Sequence, residues 1–384
     1  VTETPMQPQN SALSQTFRIG GDGLTVVIKE CLSIRGLVTR CGCRALACGP
    51  SSSSNADVVD ALIDNGCAII GTANMHELAF GVTGVNDYLG TPLNPRWPDR
   101  IPGGSSSGSA SLVAAGACDF AVGTDTGGSV RVPACCTGIF GMKPTYGRIS
   151  RTGAIPAESS IDCIGPLAPT AAMLTRSMEC MDPSFKRQDA AGPFRLVAVT
   201  VAASQEVQAA FDAALEGLVA ASTPLEGLAR AYQAGLVVIN AEMARAFGDL
   251  ARASEGLDPE VRSRILAAVD SFDSAALERA EEVRTLFQQE VDAALAHADA
   301  LVLPTMPVVP PRLAEAGDMQ ALIPLTVLAR PFNLSGHPAV TVPIRTAGGL
   351  PAGVQLIGRR GEDETLCAVT EWVAQQLKIN GDPL

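Results

Sequence analysis

Apolar residues come in short, regularly spaced runs over the first third of the chain. "LTVVIKECL" (residues 24–32) has β-branched residues at its centre and predicts a strand. "ADVVDALIDNG" sets Val58, Val59, Leu62 and Ile63 at helical spacing and stops at Gly66, a residue suited to a helix end. "CAIIGTANM" follows as a short buried strand. This strand–helix–strand order calls for a parallel or mixed sheet. Next, "SGSASLVAAGACD" reads as a helix of small residues and "FAVGTDT" as the strand after it.

From about 204 to 297 the pattern changes. The chain is rich in Ala and Glu, with Val207, Phe211, Leu215 and Leu218 at helical intervals and almost no strand signal. "DPEVRSRILAAV" and "AALERAEEVRTLFQQEVDAAL" read as amphipathic helices, the first opened by an Asp-Pro pair. "ALVLPTMPVVPP" is a strand running into a Pro-rich loop. "HPAVTVPI" and "AGVQLIG" are two more strands, and "DETLCAVTEWVAQQL" is a final helix. The expectation is a polar arm over 1–16, then one large α/β domain over 17–384. Its mixed central β-sheet is covered by helices on both faces, and the helical insert at about 204–297 packs on that sheet.

Composition narrows the function classes. With 384 residues, 47% hydrophobic and 18% charged, the chain has ample material for a core. A net charge of −12, with no local cluster of Lys and Arg, argues against nucleic-acid binding. No uncharged apolar run reaches the ~18 residues of a membrane span. The N-terminal stretch lacks the basic and apolar regions of a signal peptide. Eleven Cys and three His are scattered without the paired spacing of zinc ligands. Free thiols in a reducing compartment are expected, with the cytoplasm as the default location.

Two Gly–Ser clusters carry the candidate chemistry: "GGSSSGSAS" at 103–111 and "GTDTGGSVRVPACC" at 123–136. Alone, either reads as a solvated turn. A phosphate cradle is a weak reading, because neither precedes Lys-Ser or Lys-Thr and neither forms G-x-G-x-x-G after a strand. Acyl transfer is the third reading. It needs a nucleophile, a base and backbone N–H groups aimed at the developing oxyanion, and the glycines of "TGGS" let the backbone approach a carbonyl closely. No histidine is well placed as base: His76 and His337 sit in loop-like stretches and His297 in the helical insert. A lysine serves if burial lowers its pKa by roughly 3 units. Lys29, within "VVIKECL", is either such a base or a lysine that snorkels from a strand edge.

"GGSSSGSA" followed by "GTDTGGSVRVPACCTGIFGMKPTYGRIS" resembles the amidase signature family of serine hydrolases. The likeness continues through "SSIDCIGPLA", "DVVDALIDNGCAIIGTANMHELAFG", "LGTPLNP", "FNLSGHPAVTVPI" and "GLPAGVQLIG", covering about 20–180 and 297–375. The resemblance implies an amidohydrolase that cleaves an amide C–N bond through a serine acyl-enzyme, using a Ser–Ser–Lys triad. Carried onto this sequence, Ser129 is the nucleophile, Ser105 the bridging serine at a cis peptide, and Lys29 the base. The 24-residue separation of the two serines fits Ser105 better than Ser106 or Ser107. Backbone N–H groups of Thr126, Gly127, Gly128 and Ser129 would form the oxyanion hole, while Asp125 and Arg131 brace the loop by charge-assisted hydrogen bonds. No metal and no organic cofactor is implied. A homodimer is an expected assembly.

Three features depart from the family pattern. Glu30 stands where Asp is usual, Cys43 where Ser is common, and 28 residues precede Lys29 where the family carries a helical region that often covers the sheet edge and builds dimers. Family substrates range from fatty acid amides to malonamate, allophanate and glutaminyl groups. Malonamidase-like members hold a carboxylate with an Arg three residues after the nucleophile; here that residue is Val132. Arg330, before "PFNLSG", either reaches the pocket or, as the favoured expectation, pairs with a surface acid. The main expectation is a small soluble amide or urea-like substrate, releasing ammonia or an amine. One alternative is the amidase component of a glutamyl-tRNA amidotransferase-like complex, whose members tend to have Gln where Val132 stands. The other is a non-catalytic scaffold of the same fold.

Overall fold

The computed structural model describes residues 11–379. Its strands are β1 (Leu13–Gly20), β2 (Thr25–Lys29), β3 (Ala68–Ala73), β4 (Phe120–Asp125), β5 (Phe140–Lys143), β6 (Cys163–Ala168), β7 (Leu196–Val199), β8 (Val219–Thr223), β9 (Ala300–Pro304), β10 (Ala339–Arg345) and β11 (Pro351–Ile357). They form one sheet in the order β1-β3-β2-β4-β6-β5-β10-β11-β9-β7-β8. The strands β3, β2 and β4 are parallel towards one edge, and β9, β7 and β8 towards the other. From β4 through β6, β5, β10 and β11 to β9 the pairing is antiparallel.

The helices are α1 (Asp57–Asp64), α2 (Ser107–Ala114), α3 (Arg131–Thr137), α4 (Ala171–Met181), α5 (Gln205–Ala214), α6 (Leu228–Ala253), α7 (Pro259–Asp270), α8 (Ser274–Leu295), α9 (Met319–Leu322), α10 (Arg330–Leu334) and α11 (Asp363–Gln376). They cover both faces of the sheet, as strand alternation requires. Val26 and Ile28 of β2 join one core cluster, while Val27 between them joins another with Ala110 and Leu112 of α2. In β9, Ala300 and Val302 face the first cluster, whereas Leu301 and Leu303 face a cluster shared with Val238 of α6 and Phe287 of α8.

Local sequence explains several ends. Asp258 caps α7 by accepting from the N–H groups of Glu260 and Val261, and Pro259 occupies the first turn. Gly66, with φ of +76°, ends α1 in the left-handed conformation that glycine adopts freely.

Two boundaries differ from the sequence reading. Leu13–Thr16, expected in a polar arm, belong to β1, which pairs antiparallel with β3; residues 1–10 of that arm lie outside the described residues. The insert read as helical contains a strand, β8, parallel to β7 and joined to it through α5. Among the described residues, no helix is long and apolar enough to cross a membrane.

Candidate active site

Lys29 closes β2 and has no exposed surface. Its Nζ lies 2.7 Å from Ser105 Oγ, 2.8 Å from Thr124 Oγ1 and 3.3 Å from the Thr124 carbonyl oxygen. Burial pushes the Lys29 pKa below its ordinary value; the charges of Cys31, Asp162, Asp125 and Cys41 oppose the shift without cancelling it.

Ser105 sits in the loop that enters α2, after a cis Gly104–Ser105 peptide bond. The first turn of α2 is drawn against the end of β3, where the Gly108 N–H donates to the Asn74 carbonyl. A Cβ on Gly108 would lie 2.4 Å from the Ala12 carbonyl oxygen, so this approach needs glycine. Two backbone bonds fix the serine loop: the His76 N–H donates to Ser105 O at 3.0 Å, and the Ser106 N–H donates to Ser129 O at 3.2 Å. The second bond ties one Gly–Ser segment directly to the other.

Ser129 lies in the turn between β4 and α3. With Thr126 and Gly127 it lines a cavity of about 390 Å³, whose walls include His76, Phe80, Tyr232, Ile239 and Arg330. Gly128 has φ of +120°, and a Cβ there would lie 2.9 Å from Val132 Cγ2, so both backbone conformation and space require glycine.

The turn is held by a fully buried ion pair of Asp125 and Arg131. Asp125 Oδ1 accepts from Gly128 N and Arg131 Nη2, both at 2.8 Å, and from Asn333 Nδ2 at 2.9 Å. Its Oδ2 accepts from Val130 N at 3.1 Å, Arg131 N at 3.3 Å and Arg131 Nε at 3.0 Å. Arg131 Nη1 continues to Ala329 O and Gln355 Oε1. Burial alone would raise the Asp125 pKa, but the Arg131 charge and the hydrogen bonds from Arg131 and Asn333 hold it well below the usual carboxylate range. One sequence expectation is corrected here. The Gly128 N–H, assigned to an oxyanion hole, is committed to Asp125 and does not face the cavity as a free donor.

Sequence reasoning passes over several polar residues. Thr124 supplies two of the three contacts to Lys29 Nζ. Asp162 accepts from Thr126 Oγ1 at 2.9 Å and from Arg151 Nε at 3.0 Å. Asn333 and Gln355 complete the shell around Arg131. Asp162 and Asn333 lie within quoted stretches, "SSIDCIGPLA" and "FNLSGHPAVTVPI", yet polarity in a motif does not reveal which backbone it holds.

His76 lines the cavity with its pKa lowered to about 4, by burial first and then by the Arg264 charge, so its ring is neutral near pH 7. His337 is fully buried and contacts Ser335 Oγ at 3.0 Å and Asp292 Oδ1 at 2.9 Å. Arg330 also departs from expectation. It lines the cavity over the Tyr232 ring, and among the described residues no Asp or Glu is within ion-pair distance of it.

Residues 21–367 match the family model described as Amidase. A glutamyl-tRNA(Gln) amidotransferase subunit from Halobacterium salinarum is 34% identical, with 92% of this chain and 95% of that protein covered. A solved structure described as an amidase has 32% identity and a TM-score of 0.84, covering 92% of this chain and 84% of its own. The structure of a glutamyl-tRNA(Gln) amidotransferase subunit from Thermotoga maritima has 29% identity and a TM-score of 0.82, covering 96% and 88%. The family model spans most of the chain, the Halobacterium relative exceeds 30% identity over nearly its whole length, and the solved amidase shares the fold over 92% of the chain; the chain belongs to the amidase signature family of amide-hydrolysing enzymes.

Proposed function

We propose that this amidohydrolase works through an acyl-enzyme on Ser129, with Ser105 as proton relay and Lys29 as base. The observation that carries the reading is the environment of Lys29 Nζ. A neutral amine has two N–H donors and one lone pair, by the same count that gives an ammonium three donors and no acceptor. In the neutral form, Thr124 Oγ1 and the Thr124 carbonyl oxygen accept the two N–H donors, and the lone pair is then free to accept from the Ser105 hydroxyl 2.7 Å away; in the ammonium form all three oxygens accept from Nζ. Burial favours this neutral form.

The steps balance as follows. Ser105 gives its proton to Lys29 and takes that of Ser129, whose Oγ bonds to the amide carbon. The carbonyl oxygen becomes an oxyanion near the N–H groups of Thr126, Gly127 and Ser129. The C–N bond then breaks as the nitrogen receives the proton returned through Ser105. Water repeats the sequence on the ester, releasing the acid and restoring Ser129.

The relatives named as amidotransferase subunits favour glutamine as the amide and a multi-subunit assembly as the setting. A free-standing hydrolase of small soluble amides is the second reading, favoured by Val132 at a position where such subunits tend to have Gln. Ammonia release from glutamine and from simple aliphatic amides, measured on the purified chain with Ser129→Ala as control, tests both. Activity on neither amide, together with no labelling of Ser129 by a fluorophosphonate, would refute the proposal.

A further inference from the structure

Among the described residues, one cation in the cavity beside Ser129 has no counter-charge. Arg330 opens α10, its guanidinium 4.3 Å from the centroid of the Tyr232 ring. Its Nη2 donates to Thr326 Oγ1 at 3.0 Å, but Nε and Nη1 are buried with no hydrogen-bond partner among the described residues. The other charged residues lining the cavity, Arg264 and Glu260, face each other at 3.9 Å and offset one another. Gly235 makes room for the Arg330 side chain, since a Cβ there would lie 3.0 Å from its Cγ, and Gly127 lies close by, where a Cβ would be 3.4 Å from its Nε, in ordinary van der Waals contact. A buried cation and two unsatisfied donors are both unfavourable, and one acceptor group of negative charge relieves both at once.

We infer that Arg330 binds a carboxylate on the acyl side of the substrate, so that the preferred amide is the half-amide of a short dicarboxylic acid. This rests on the reading of Ser129 as the nucleophile of ammonia release, because ammonia as leaving group leaves only the acyl side to carry a charge. The chain limits the length of that acid. Gly127, where an added Cβ would lie 3.4 Å from Arg330 Nε, is two residues from Ser129, a backbone span of at most about 7 Å. After allowance for a hydrogen bond at one end and nucleophilic approach at the other, the gap suits an acid of roughly four or five carbons.

The experiment compares succinamate with butyramide, which share a four-carbon skeleton and differ in the carboxylate. The expected result is a preference of the wild-type chain for succinamate. Arg330→Gln should reduce the succinamate-to-butyramide ratio of kcat/KM by on the order of 10- to 100-fold, chiefly through KM, and Arg330→Lys should restore part of it. A wild-type chain with no such preference, or a ratio unchanged in Arg330→Gln, overturns the assignment. Calorimetric titration with succinate gives a readout independent of turnover: binding to the wild type that is lost in Arg330→Gln supports the site even if neither amide is cleaved, in which case the Ser129 reading is what fails. No succinate binding by the wild type overturns the site. Thermal melts of both variants establish that they fold; should Arg330→Gln unfold, weaker succinate binding by Arg330→Lys supports the site and unaltered binding overturns it.

Discussion

Replacing Asp125 with Asn keeps the shape of the buried side chain and removes its charge. Each carboxylate oxygen accepts three hydrogen bonds, Oδ1 from Gly128 N, Arg131 Nη2 and Asn333 Nδ2, and Oδ2 from Val130 N, Arg131 N and Arg131 Nε. Whichever way the new amide is turned, its NH₂ group meets three donors. Arg131, fully buried, is left without its counter-charge. Breaking a buried pair from one side costs about 3–5 kcal/mol, a large part of the roughly 5–15 kcal/mol that holds a domain folded. We therefore expect Asp125→Asn to lower the urea midpoint strongly and to reduce turnover, since the same carboxylate orders the Ser129 turn. The double variant Asp125→Asn/Arg131→Met should lose less than the sum of the two single losses, because the second change removes the stranded charge. The depressed pKa of Asp125 adds a pH dependence. The stability that the pair contributes is fully present above the unfolded carboxylate value of 3.8 and is lost as pH falls through the lower folded value. The difference between wild type and Asp125→Asn should accordingly shrink in strong acid. A single variant within about 1 kcal/mol of wild type at pH 7, or strictly additive losses in the double variant, would show that the ion pair does not order this turn.

Three further outcomes are expected. Ser129→Ala should lose about 10⁴- to 10⁶-fold in turnover on the best amide found while keeping the wild-type melting curve, and retention of a tenth of the activity would remove Ser129 from its role. Turnover should rise with pH as Lys29 loses its proton, on a limb that survives in His76→Ala, and Lys29→Met should be inactive throughout; a limb abolished in His76→Ala would transfer the base to the histidine. Of the eleven cysteines only Cys48 is exposed, so a thiol reagent should react rapidly with one group in the folded protein and with eleven after unfolding; several fast thiols in the native state would contradict the packing of the core.

The elements most legible in the sequence are those whose apolar residues match their own period and whose faces are covered, such as β2, β3, β4, α7, β10 and β11. β1 is harder to read because its inward positions include polar groups: Ser14 is buried by bonding to Thr72 Oγ1 at 2.8 Å, not by apolar character. β8 lies at the sheet edge with its middle residues exposed, so it carries little apolar signal. The order of strands is not legible either, since the pairing of β6 with β4 brings together segments about forty residues apart through contacts that no local pattern encodes. Within the site, residues on contiguous motifs can be named from their motifs. Those acting from afar, such as Gln355 on Arg131 Nη1, cannot. Arg330 reads as a surface cation because its environment is an aromatic ring from α6 and two glycines from different elements, none of them near it in the chain.

The two Gly–Ser segments have one explanation that neither yields alone. Burial lowers a lysine pKa toward neutral by disfavouring the ammonium, and a lysine buried without access to the cavity cannot itself touch a substrate. Lys29 is at that depth, with no exposed surface, and does not line the cavity that Ser129 lines. In the proposed mechanism a second hydroxyl must then connect the two, and Ser105, 2.7 Å from Lys29 Nζ, is the proposed link. That mechanism also needs the Ser105 loop to be fixed relative to Ser129, or the proposed relay loses its alignment. The Ser106 N–H to Ser129 carbonyl bond provides that link through backbone atoms, which no substitution at 106 other than proline removes. Small residues are needed on both sides for backbones to come this close. The glycine and serine content that, in either segment alone, reads as a solvated turn is thus the composition of two buried segments packed against each other.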